Sequence, residues 1–85
     1  MEVDKVEKIM LSNQITAIQK NILIMAYALM QKNERCTARN ISDALGLNYA
    51  NCASNLRTLM YADILKCEGL GGRAGKDYTV NWEAF

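Results

Sequence analysis

The sequence predicts a mainly α-helical domain finished by a small β-hairpin, an α+β architecture, and three observations predict it. Apolar residues recur at spacings of three and four as far as Asp63, the signature of amphipathic helices. Residues with capping chemistry, Thr16, Thr37, Asn48 and Gly46, interrupt that pattern where helices should start and stop. After Ile64 the period drops to two on either side of a glycine cluster, which reads as two strands and a turn.

Each element follows in order. Val3, Val6, Ile9 and Met10 define one face of an N-terminal helix of about ten residues, with Glu2, Asp4, Lys5, Glu7 and Lys8 on the other. Thr16-Ala17-Ile18-Gln19 has the form of a capping box, so a second helix should run from there to about Lys32. Thr37 caps a short third helix whose Ile41, Ala44 and Leu45 share a face, and Gly46 stops it. Asn48 caps a fourth, running to about Asp63, with Cys52, Ala53, Leu56, Leu59 and Met60 on its inner side. Ile64 to Glu68 and Asp77 to Trp82 alternate around Gly69 to Gly75 as the hairpin. The 85 residues make one domain, 1–85, with N-terminal helices in 1–32, a helix pair in 37–63 and the hairpin in 64–82.

Composition narrows the function. Hydrophobic residues are 51% and charged residues 22%, which fits a folded chain rather than a disordered one. The longest apolar run, Ile22 to Met30, is far short of the about 20 residues that span a membrane, and no leader sequence opens the chain. A soluble, cytoplasmic protein with no membrane partner is expected. Histidine is absent, which removes the commonest general base and metal ligand, and no phosphate-binding glycine loop occurs. An enzyme is therefore not expected, and neither is a cofactor or a metal. Cys36, Cys52 and Cys67 form no CxxC pair and read as reduced thiols, with Cys52 and Cys67 filling the core.

Charge is unevenly placed although the net value is only +1. Residues 1–31 are neutral, 32–76 carry a net +3 and 77–85 a net −2, a mild bias toward a polyanion in the middle of the chain. The fourth helix is chemically unusual. Opposite Cys52, Leu56 and Leu59 lie Ala50, Asn51, Ser54, Thr58 and Tyr61, with Asn55 and Arg57 on the shoulders. Exposed helix faces normally carry Lys and Glu, which favour the helix more than Asn and Ser do. Asn pairs bidentately with adenine, and Ser or Thr bonds several base edges.

The helix pair from Thr37 to Leu59, joined through Gly46, has the form of a helix-turn-helix. With Ile15, Thr16, Gln19, Ile22 and Leu23 before it, and Ile64, Leu65 and the glycine turn ending at Tyr78 after it, residues 15–82 resemble a winged helix-turn-helix of MarR- and ArsR-type transcriptional regulators. The resemblance rests mostly on packing positions. It implies sequence-specific binding of double-stranded DNA, the fourth helix in the major groove and the hairpin, as a wing, at the minor groove. Base reading is then expected from Tyr49, Asn51, Ser54, Asn55 and Thr58, and phosphate or wing contacts from Arg39, Arg57, Lys66, Arg73 and Lys76.

The second helix is apolar all round and needs cover on several sides. Either the N-terminal helix or a second copy of the chain supplies it, and a homodimer is the expectation, because two copies also double the electrostatic attraction to DNA. The MarR-type C-terminal dimerisation helix has no counterpart here, so the interface is expected in residues 1–32, at Val6, Ile9, Leu23, Ile24 and Tyr27. The ArsR-type metal clusters are not reproduced by the three cysteines. The competing reading is a winged-helix protein-interaction module of a replication or transcription assembly, favoured by the low net charge.

Overall fold

The computed structural model describes residues 3–68 and 77–84. The glycine-rich turn, with the expected DNA contacts Arg73 and Lys76, lies outside the described residues. Four α-helices precede an antiparallel pair of strands: α1 Val3–Leu11, α2 Ala17–Gln31, α3 Ala38–Leu45, α4 Tyr49–Tyr61, β1 Leu65–Glu68 and β2 Asp77–Val80.

Local chemistry sets the helix ends. Thr16 Oγ1 accepts from the Gln19 backbone N–H at 3.2 Å, and Gln19 Oε1 accepts from the Thr16 N–H at 3.0 Å, closing a capping box at the head of α2. Thr37 and Asn48 cap α3 and α4 by accepting from the N–H groups of Asn40 and Asn51. Each such cap stabilises by about 1 kcal/mol. Gly46 ends α3 at φ 66°, a left-handed conformation that any Cβ would strain.

The strands pair Leu65 with Val80, Cys67 with Tyr78 and Glu68 with Asp77. The sequence pattern carried β2 on to Trp82. The chain instead turns at Asn81, whose N–H donates to Ile64 O at 2.8 Å and whose Nδ2 donates to Asp63 O at 2.7 Å, and Trp82–Ala84 form a short 3₁₀ turn. Asp63 itself takes φ 61°, a left-handed residue at the junction of α4 and β1.

The core answers the question posed by α2. Ile22, Leu23, Ala26, Tyr27 and Leu29 are all buried, and α1, α3, α4 and β2 each pack against this helix. The cover comes from the chain itself: Ile9, Ile41, Cys52, Leu56, Leu59, Leu65 and Val80 join the same cluster. This corrects the expected dimer interface. Ile9, Leu23 and Tyr27 are buried within one chain and have no surface to offer a second copy, while Val6 is half-buried and half-buried Ile24 packs on the same core. An 85-residue chain manages this because α1 and the 3₁₀ turn close over the far side of α2. There the Tyr27 and Trp82 rings meet edge to face at 5.2 Å, and Lys5 Nζ stands 5.5 and 5.2 Å from their centroids. Replacing Lys5 with Met keeps the apolar stem and removes the charge. Thermal unfolding is expected to report a loss of about 0.5–1 kcal/mol.

Two packing assignments change. Ala44 was placed on the inner face of α3 but is exposed, and Ser42 is buried instead, its Oγ donating to Arg39 O at 3.0 Å. At about 100° per residue Ala38, Ile41, Ser42 and Leu45 share one side of α3, and Ala44 lies beyond the edge of that side. Cys67, expected in the core, is exposed. It shares a strand face with Leu65, which is buried, so burial along that face ends between the two residues.

Cys36 and Cys52 are buried. Burial is the main cause that pushes the Cys36 thiol from its ordinary value of 9.0 up to about 11, and burial also raises Cys52. Because thiolate is the reactive form, maleimide at mildly alkaline pH is expected to label Cys67 rapidly. Cys36 and Cys52 should label only at the rate of unfolding, as counted by intact mass. The sign of the Cys36 shift adds a pH dependence. The folded state keeps the proton that the unfolded chain loses above pH 9.0, so stability should fall as pH rises from there toward about 11.

Candidate nucleic-acid interface

Cys52, Leu56 and Leu59 anchor the inner side of α4, which fixes its rotation. Ala50, Asn51, Ser54, Arg57, Thr58 and Tyr61 are exposed as a consequence, and Arg57 is the helix's single charge. Tyr61 is 80% exposed, the most open large side chain on this face.

The five residues expected to read bases are not equivalent. Ser54 is exposed, and among the described residues its hydroxyl has no hydrogen-bond partner. Asn51 Oδ1 accepts from Asn55 Nδ2 at 3.2 Å, a bond in which the Asn51 NH₂ group takes no part. The Thr58 hydroxyl donates to the carbonyl of Ser54 one turn earlier, at 3.1 Å, and retains acceptor capacity.

Asn55 departs from the expected outward row. It is half-buried, its Nδ2 donates to the Asn51 carbonyl at 2.9 Å, and its Oδ1 accepts from Gln19 Nε2 at 3.4 Å. Both ends of this amide are engaged inside the molecule. Gln19 is the partner that sequence reasoning did not connect to α4. Its place in the capping box at the head of α2 was visible, but that α2 runs against α4 was not. Tyr49 also differs, since the Arg39 guanidinium carbon sits 4.7 Å from its ring centroid and covers one ring face.

The basic residues expected at phosphates come from different elements. Arg39 comes from α3, Arg57 from α4 and Lys66 from β1, and all three are exposed. Tyr78 on β2 packs half-buried beside this edge. Burial raises its pKa, and the nearby Arg57 charge opposes that rise. Strand β2 is tied to the helical body at several points. At its base, Asn81 ties it to Asp63 and Ile64. Further along, Tyr78 N–H donates to Cys36 O at 2.8 Å, and Arg35 forks onto Asp77, Nε to Oδ1 at 3.1 Å and Nη2 to Oδ2 at 3.0 Å. Among the described residues, no group of three His, Cys, Asp or Glu side chains is placed to hold a metal ion, and no helix is long and apolar enough to cross a membrane.

No family model, no curated protein and no solved structure matches this chain.

Proposed function

We propose that this chain is a winged helix-turn-helix protein that binds double-stranded DNA sequence-specifically as a transcriptional regulator, α4 entering the major groove and the hairpin lying along the neighbouring minor groove. One observation carries the reading. Asn51, Ser54 and Thr58 form an exposed, uncharged, hydrogen-bonding row along α4, with exposed cations on the same helix (Arg57) and on the elements before and after it in the chain (Arg39 and Lys66). Such a row costs helix propensity and suits base edges, while exposed cations suit phosphates. Two copies on adjacent half-sites belong to this reading on electrostatic grounds alone, since few phosphate contacts per chain bind weakly.

The test is a selection of bound sites from random duplexes, followed by titration of the enriched site at increasing salt. An enriched motif is expected, with an affinity that falls along a log–log slope of roughly −3 per bound chain if the three described cations each meet a phosphate. Two half-sites about one helical turn apart are expected for a symmetric pair. No enrichment together with no salt slope would reject the reading. It would favour the alternative, a protein-interaction module of a replication or transcription assembly, which has one observation behind it: the open Tyr61 ring on a helix with a single charge.

A further inference from the structure

Tyr49 stands at the first position of α4, where a residue enters the groove early, and so it reads naturally as a base contact. Its surroundings argue for another role. Arg39 reaches across from α3, and its guanidinium lies 4.7 Å from the Tyr49 ring centroid. A guanidinium over an aromatic face is attracted by the ring's negative quadrupole, and its N–H donors remain open at the edge of its own plane. That geometry restrains an otherwise loose, rotamer-rich side chain while leaving a fork for an oxygen pair. Among the described residues no carboxylate is bonded to Arg39, in contrast to Arg35, whose fork is taken by Asp77. The two arginines on either side of Thr37 therefore differ in kind: one is closed by an acid, the other is stacked and open.

We infer that Arg39 and Tyr49 act as one unit that grips a DNA backbone phosphate at the head of α4, with Tyr49 a positioning residue that holds the guanidinium in place and reads no base. This rests on the DNA-binding reading above and adds to it. Holding the arm ready lowers the ordering cost of the contact, and its place on α3 directs it to the strand flanking the groove that α4 enters. Specificity then falls to Asn51, Ser54 and Thr58 further along the helix.

The experiment measures binding of the full chain to two labelled duplexes, the enriched site and a scrambled one of equal length, across a salt series. The variants are Arg39→Gln, Arg39→Lys, Tyr49→Phe, Tyr49→Leu and the double variant Arg39→Gln/Tyr49→Leu. Arg39→Gln is expected to make the salt slope shallower by about 0.9 and to weaken both duplexes by the same factor. Tyr49→Phe keeps the ring and should bind as the parent does. Tyr49→Leu loses the ring and should weaken both duplexes equally, as should Arg39→Lys, which loses the fork. The double variant should bind no worse than Arg39→Gln alone.

Three results would overturn the inference while leaving DNA binding intact. The first is a Tyr49→Leu chain with a changed ratio between the two duplexes, which makes Tyr49 a reader. The second is a Tyr49→Phe chain that binds as weakly as Tyr49→Leu, which makes the hydroxyl the contact. The third is an unchanged salt slope for Arg39→Gln. A parent chain that binds neither duplex rejects the DNA reading itself, and this unit with it.

Discussion

Leu23→Ala is expected to lower folding stability by about 2–5 kcal/mol, the range for truncating a fully buried leucine whose surroundings relax only in part. For a domain of this size that is a fall in Tm of at least about 10 °C. Leu23 is completely covered, in a cluster to which α1, α3, α4 and both strands contribute. Because that cluster draws on every layer, no single element is expected to move in and fill the void. The measurement is thermal and urea unfolding, with sedimentation on the same samples. A large loss of stability with the folded species sedimenting as the parent does would place Leu23 in the core of one chain. A change of assembly state with stability retained would return it to an interface between copies.

The second large effect concerns the polar row. Asn51→Ala and Ser54→Ala are each expected to reduce the preference for the enriched site over a scrambled duplex by about 1–3 kcal/mol, the worth of a good base contact. The salt slope should not change, because under the proposed function neither side chain is assigned a phosphate. Asn55→Ala is expected to behave differently. It removes the bond to Gln19 Nε2 and the two bonds to Asn51, so it should cost stability as well as discrimination. The comparison of the three alanine variants, by binding ratio and by melting, separates a residue that meets the ligand from one that braces it. Equal losses of affinity on every duplex from all three would remove the base-reading role.

How far the fold was legible follows from the range of the forces involved. The caps at Thr16, Thr37 and Asn48 and the left-handed stop at Gly46 are bonds between residues three or four apart, so adjacent sequence carries them. The hairpin was legible for the same reason, through its period of two and its glycines. What covers α2 was not, because Tyr27 meeting Trp82 and Lys5 joins three distant stretches of chain, and an apolar helix looks alike whether its cover is its own or a partner's. The end of β2 was misjudged because Asn81 prefers carbonyls at Asp63 and Ile64, a contact no alternation pattern reveals.

The candidate site was legible as a face and less so as individual roles. Periodicity located Asn51, Ser54 and Thr58 outside because Cys52, Leu56 and Leu59 must go in. It left Asn55 on a shoulder, where a few degrees of rotation decide between solvent and the flank of α2. The stack of Arg39 on Tyr49 crosses from one helix to another, and no spacing within either helix announces it.

The corner at Asp63 has a consequence for operator geometry under the proposed function. With its φ at 61° and its carbonyl taken by Asn81, it welds the reading helix to the ribbon that follows. The two contacts on a duplex then sit at one constant offset, like the jaws of a gauge without a slide. Bound sites should tolerate base changes between those contacts far better than the insertion or removal of a single base pair.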